Sequence, residues 1–193
     1  MSSLEKSIFK NGSTTYYFSS KFFPKLVRKE VFKLYSFVRV ADDYVDNIPQ
    51  NKKEFKIIKT LWQEFADAKK QDTTYHKDDS LNVRVVKNMA SVTNEYSFET
   101  DWIDAFLASM QADLDKKRYT SLDGSLWYVY GSAEVIGLMM ARVLGLPKKA
   151  EASAAMQGRA MQWINFISDI DEDNRLGRCY FPKDELAQFG LKD

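Results

Sequence analysis

One cysteine and one histidine in 193 residues exclude several common kinds of chemistry. Cys179 has no partner for an internal disulfide, and with His76 it falls short of an ordinary zinc ligand set. A Ser-His-Asp or Cys-His arrangement would have to recruit His76, which sits in the polar segment 71–79 and reads as a solvated loop residue. Long apolar runs are missing as well: the longest, 135–146, is broken by Arg142 and is too short to span a bilayer. No apolar stretch follows the N-terminal charges, as a signal peptide would require. A reducing cytoplasm is the expected compartment. Neither sign of charge dominates, with 28 Lys and Arg against 27 Asp and Glu. No basic stripe is interleaved with aromatics, so nucleic acid is not an expected partner. The one locally basic stretch, 21–33, reads as the solvated side of a helix. What remains for chemistry is carboxylates, amides, tyrosines and bound metal.

The material for a core is present, since 45% of residues are hydrophobic and 14% aromatic, and the length suits one substantial domain, 1–193. Pro24, Pro49, Pro147 and Pro182 fall where one apolar-periodic segment stops and the next begins, as proline does at the first turn of a helix. The segments between them read as helices over about 2–9, 14–22, 24–47, 50–69, 79–96, 100–117, 121–145, 148–174 and from 182. Phe55, Ile58, Leu61, Trp62 and Phe65 mark a surface helix with one buried stripe. No strand alternation is sustained, and no repeat or flexible linker interrupts the pattern. The expectation is all-α. Gly131, Ser132, Ala133 and Gly137 stand inside an apolar helix, where glycine costs up to about 1 kcal/mol against alanine. Two reasons are open: close packing against another helix, or room for a long apolar ligand.

Two stretches share one pattern. The first is Tyr35-x3-Arg39-x2-Asp42-x3-Asp46, with Asp43 completing a DDxxD; the second is Gln162-x2-Asn165-x3-Asp169-x3-Asp173. Steps of 3, 4 and 7 return a side chain to nearly the same helical azimuth, so each stretch lines one face with polar groups. Both faces belong to otherwise apolar segments: Val31, Phe32, Leu34, Phe37 and Val38 in the first, Met161, Trp163, Ile164, Phe166 and Ile167 in the second. Buried carboxylates cost several kcal/mol unless a positive group meets them. Two pairs opposed across a bundle would form a cage for hard cations. Mg2+ favours a few carboxylate oxygens completed by phosphate and water, and a diphosphate is the natural third party. Such a site would let an allylic carbon–oxygen bond ionise, with Tyr35, Tyr128 or Tyr130 offering ring faces to the cation. A single aspartate pair could be a solvated helix face; the second pair, with Asn165 and Gln162 beside it, favours metal and diphosphate.

The blocks Ser13-Thr14-Thr15-Tyr16-Tyr17, Tyr35-x3-Arg39-x2-Asp42-x3-Asp46, Tyr130-Gly131-Ser132-Ala133-x3-Gly137 and Gln162-x2-Asn165-x3-Asp169-x3-Asp173-x4-Arg178-x-Tyr180-Phe181-Pro182 follow each other as in the squalene/phytoene synthases. The chain resembles that family over nearly its whole length, and prokaryotic phytoene synthases, archaeal ones included, most of all. The resemblance implies an all-α isoprenoid synthase fold, a helical bundle around a central cavity. It also implies head-to-head condensation of two geranylgeranyl diphosphates to phytoene through a cyclopropylcarbinyl diphosphate.

It further implies Asp42, Asp46, Asp169 and Asp173 as Mg2+ ligands, with Mn2+ as an alternative and no NADPH. Ser13, Thr15, Arg39, Asn165, Arg178 and Tyr180 would hold substrate, and Tyr35, Arg39, Tyr130 and Gln162 would serve catalysis. Asp113 matches a recurring family aspartate, a helix-surface position being its other reading. Thr14, Ser168 and Glu134 depart from the usual lysine, arginine and small residue; the first two remove positive charge near diphosphate. Family members continue past the second motif, so helices closing one wall of the cavity are expected on a longer chain or a partner, with self-association as another way to cover the opening. Peripheral contact with a membrane would suit release of an apolar product. Other readings are a squalene or dehydrosqualene synthase using farnesyl diphosphate, a head-to-tail prenyltransferase or terpene cyclase, and a catalytically silent member acting in assembly.

Overall fold

The computed structural model describes residues 3–68 and 72–191. Among them every regular element is helical, and the one strand-like feature is an isolated bridge between Arg118 and Cys179. The chain divides into two compact units, Met1–Thr100 and Asp101–Asp193.

The first unit comprises α1 (Ser3–Gly12), α2 (Thr14–Ser19), a 3-10 turn (Ser20–Phe22), α3 (Lys25–Asp46), α4 (Lys52–Asp67) and α5 (Leu81–Tyr96). Its axis is α3, whose 22 residues bury Val31, Phe32, Leu34, Phe37, Val40 and Val45 against α1, α4 and α5. Phe9 of α1 meets Phe32 edge-on at 4.8 Å and lies 4.0 Å from the Tyr35 ring. On α4 the expected stripe forms: Phe55, Ile58 and Trp62 are fully buried, while Leu61 and Phe65 are half-buried. Asn51 and Ser80 cap α4 and α5 by accepting from the backbone N–H three residues on, satisfying donors that a helix start leaves open. Near the C-terminal end of α3, the Tyr44 hydroxyl donates to Asn82 at 2.8 Å and Asn82 donates to Glu54 at 2.6 Å. This chain ties three helices together beside the first aspartate motif.

The second unit runs α6 (Thr100–Asp115), α7 (Leu122–Val129), a π-helical turn (Tyr130–Glu134), α8 (Val135–Val143), a 3-10 turn (Lys148–Ala150), α9 (Glu151–Ser168), α10 (Ile170–Arg175) and α11 (Lys183–Gln188). Two segments expected as continuous helices, 121–145 and 148–174, are therefore interrupted at Tyr130 and at Asp169. The open question about the glycines is decided in favour of packing. A Cβ on Gly131 would stand 2.2 Å from the Ala105 carbonyl oxygen of α6, one on Gly137 2.2 Å from that of Ala154 in α9, and one on Gly158 2.4 Å from that of Ala133. Neighbouring backbone fills the space where ligand room was the alternative. Between the helices the chain is stitched by backbone bonds: Cys179 N–H donates to Lys117 O and Lys183 N–H to Tyr119 O, at 2.8 and 2.9 Å.

Candidate active site

In the first unit the polar face of α3 holds together as the spacing requires. The Arg39 guanidinium reaches Asp43 at 2.7 Å and Asp42 at 3.4 Å, contacts that the i,i+4 and i,i+3 spacing of one helical turn brings together. Arg39, Asp42, Asp43 and Asp46 are all partly exposed, so ions and substrate reach them. Burial works to lower the Arg39 pKa, but Asp43 and Asp42 more than offset it and the net shift is upward. Burial raises the Asp43 carboxyl, Arg39 opposing it, and burial likewise raises the Tyr35 hydroxyl against the pull of Arg39. Tyr35 is thus a neutral phenol and Arg39 a permanent cation at physiological pH. Arg39 Nε is buried with no hydrogen-bond partner among the described residues. A cation with a spare donor beside two carboxylates suits an anionic oxygen bridged to a metal.

Gly12, which the motifs did not single out, closes this face from behind. A Cβ there would stand 2.6 Å from the Tyr35 hydroxyl and 3.0 Å from the Arg39 stem, so a glycine at the end of α1 leaves room for both. The only signal for it in the sequence is its place just before Ser13. Ser13 itself caps α2, its Oγ accepting from Tyr16 N–H at 3.3 Å. The Thr15 side chain lies outside the described residues.

In the second unit the Gln162–Asp173 face survives a break in its helix. α9 ends at Ser168, and Asp169 departs from helical geometry at φ −106°, ψ 15°. The backbone ladder nevertheless continues, Asp169 N–H donating to Asn165 O and Asp173 N–H to Asp169 O, both at 2.8 Å. Asn165, Asp169 and Asp173 therefore stay in sequence along one side, and the Asn165 amide donates to Gln162 Oε1 at 3.5 Å. Asn165 and Asp169 are exposed, Gln162 and Asp173 half-buried. The apolar setting expected here is one-sided. Phe166 is buried, stacked on Tyr180 at 4.6 Å, but Ile164 and Ile167 are 55% and 64% exposed, because α9 turns only its other faces to α8 and the π turn. On the same helix Ala152, Ser153, Met156, Gln157 and Ala160 line an open depression of about 450 Å³.

Tyr130 opens the π turn and is 40% exposed; π turns of this kind recur at functional positions. At its other end Glu134 is 5% exposed and accepts from Arg159 of α9 at 2.7 Å. The unusual glutamate is thereby matched with a cation.

Asp113 is not a surface residue. Only 2% exposed, it accepts from the Tyr128 hydroxyl at 2.8 Å and from the Tyr180 hydroxyl at 2.7 Å. Arg178, expected with Tyr180 to touch substrate, is also buried in this structure. Its guanidinium donates to the Asp113 backbone carbonyl and to the Tyr180 hydroxyl, each at 3.3 Å. Burial first, and then the Asp113 charge, push the Tyr128 and Tyr180 hydroxyls well up, and both remain donors at any ordinary pH. The cluster ties α6 and α7 to the segment that follows α10. That segment reaches back to the second motif, since Arg178 N–H donates to Asp173 O at 2.8 Å. Sequence reasoning singled out Asp113, Tyr128, Arg178 and Tyr180 separately, but it had no signal that they meet.

Among the described residues no three His, Cys, Asp or Glu side chains gather as a metal cage. Each motif instead offers an aspartate pair with neutral or cationic companions, the donor set that suits Mg2+ when phosphate oxygens complete the shell. Asp42 and Asp46 would hold such an ion in the first unit, and Asp169 and Asp173 in the second.

The sequence profile of the squalene/phytoene synthases matches residues 9–193. The chain belongs to that family. It aligns with a 15-cis-phytoene synthase of Enterobacter agglomerans, 30% identical over 93% of this chain and 61% of that protein. A 4,4'-diapophytoene synthase of Staphylococcus haemolyticus is 26% identical over 99% of this chain and 67% of that protein. A dehydrosqualene synthase solved in complex with ligand has the same fold, with a TM-score of 0.80 at 24% identity over 98% of this chain and 63% of that one. The chain thus spans roughly three fifths of the first of these relatives. Its all-α architecture is that of the isoprenoid synthases, and no helix among the described residues is long and apolar enough to cross a membrane.

Proposed function

We propose that the protein is a head-to-head prenyltransferase that condenses two geranylgeranyl diphosphates to phytoene through a cyclopropylcarbinyl diphosphate. The observation that carries this reading is the pair of motifs, each with two aspartates four residues apart and with Arg39 or Asn165 beside them, in a chain of this family. Mg2+, or Mn2+ in its place, would neutralise charge on the departing diphosphate. Arg39 donates to diphosphate oxygens, and Ser13 and Asn165 add neutral donors. Tyr35 and Tyr130 each offer a phenol ring to an allylic cation, and Gln162 orients a reacting chain. Arg178 and Tyr180 act from within their buried cluster by holding the 178–180 segment against Asp173.

The C20 substrate and the absence of a reductant step rest on the phytoene synthase names of the relatives. A second reading, C15 condensation to a dehydrosqualene-type product, is favoured by the similarity to the diapophytoene synthase. Incubating the purified protein with C15 and C20 diphosphates and Mg2+, with and without NADPH, separates the two by product mass. Phytoene without NADPH is the expected result, and squalene as main product on adding NADPH would overturn it.

A further inference from the structure

The basic stretch 21–33 does more than solvate a helix. Residues 13–29 contain no acidic side chain and carry Lys21, Lys25, Arg28 and Lys29. Within this stretch Phe22 is 91% exposed, Leu26 80%, Phe18 54% and Tyr16 52%. Phe22 ends the 3-10 turn and Leu26 stands in the first turn of α3, with Pro24 as the N-cap between them. The turn is anchored from within: Ser20 is buried and its hydroxyl donates to Tyr17 O at 2.7 Å. Lys21 Nζ lies 4.2 Å from the Phe18 ring centroid and 5.4 Å from that of Tyr17, keeping a cation on the flank of the apolar tip. The acid that faces this region from the next turn, Glu30, is buried and taken up by Lys33 at 2.7 Å, with Lys29 at 4.0 Å.

A large apolar side chain held out on a fixed turn and ringed by lysines matches the interface of an anionic bilayer, where rings and aliphatic chains enter the acyl boundary while ammonium groups meet phosphates. A second copy of this chain fits less well, since the tip would bring four cations against the same four. We propose that the turn and the start of α3 form a lipid-docking tip, with Phe22 and Leu26 inserted into an anionic membrane surface and Lys21, Lys25 and Lys29 on its headgroups. Leu26 and Asp46 are separated by about 30 Å along α3 at the usual helical rise. Docking at one end therefore leaves the aspartate end free, and the proposal stands or falls apart from the reaction assigned there.

The test is flotation of the purified protein with vesicles of phosphatidylcholine alone and with one quarter phosphatidylglycerol. Wild type is expected to float with the anionic vesicles, less so at high salt, and to stay behind with the neutral ones. Phe22→Ser with Leu26→Ser should weaken partitioning at least tenfold, as expected when two inserted side chains are lost. Lys21→Gln with Lys25→Gln should weaken it roughly 25-fold, about fivefold for each lysine. Both pairs lie on exposed positions, so circular dichroism and melting temperature should match wild type. Equal binding of the apolar variant, equal binding to neutral vesicles, or a dimer lost in that variant without any vesicle binding would each overturn the proposal.

Discussion

The hydroxyl of Tyr180 donates to Asp113 Oδ1 at 2.7 Å across 67 positions of sequence. Tyr128 fills the other carboxylate oxygen and Arg178 the backbone carbonyl, so a single aspartate sets where the segment after the second motif lies. The cluster is closed by aromatic packing, with Tyr128 and Phe166 each 4.6 Å from the Tyr180 ring.

Asp113→Ala should therefore destabilise the protein strongly. It leaves two buried phenols without their acceptor and Arg178 without its counter-charge, a loss of about 3–5 kcal/mol for one partner of a buried ionic network. Tyr180→Phe removes a single hydroxyl from the network and should cost about 1–3 kcal/mol. Urea unfolding of the two variants measures both, and an Asp113→Ala protein as stable as wild type would show that the cluster does not hold the fold.

The same cluster predicts the alkaline limit. A phenol whose pKa in the folded state lies above its unfolded value of about 10 contributes stability in full below that pH and loses it as pH rises toward the folded value. Tyr128 and Tyr180 are both shifted upward. Stability should accordingly fall above about pH 10, by up to about 1.4 kcal/mol per pH unit for each tyrosine. Absorbance from these tyrosinates should rise together with loss of helical circular dichroism, and Tyr180→Phe should make the slope shallower. Full tyrosine ionisation in a still-folded protein would contradict this.

Asp46→Asn and Asp173→Asn should each lower turnover by orders of magnitude at saturating Mg2+. Neither aspartate lies deep in the core, so stability should stay within about 0.5 kcal/mol of wild type, as for surface substitutions. If both belong to one reaction, the double variant should lose much less than the product of the single losses. Near-normal turnover in either single variant would remove that motif from the chemistry.

Glycine-to-alanine changes in the second unit should act against helix propensity. Alanine favours a helix by up to about 1 kcal/mol over glycine, yet at Gly131 and Gly137 the added methyl would stand 2.2 Å from a carbonyl oxygen. Backbone cannot swing aside as a side-chain tip can, so each change should lower the melting temperature, by a net cost of about 1–3 kcal/mol for overpacking. A neutral or raised melting temperature would show that α6 and α9 yield at these contacts.

Much of this protein was legible in residue order because a helix encodes its own face. The 3-and-4 spacing put Phe55, Ile58 and Trp62 in the core, marked where prolines start helices, and drew Arg39 to Asp42 and Asp43 without help from distant chain. Local periodicity carries that information, since neighbours three and four residues apart meet in any helix. Tertiary structure decided the rest. Whether Gly131 and Gly137 admit a ligand or a neighbouring backbone depends on how closely α6 and α9 approach. Whether Ile164 and Ile167 are core or surface depends on which faces of α9 meet α8 and the π turn. Nothing in residue order joins Asp113 to Arg178 and Tyr180, which read as substrate-holding residues, and only the meeting of segments 67 positions apart turns them into a buried network. A charge can lie in a core only when its partners arrive there with it, and that arrival is a property of the folded chain rather than of any one stretch.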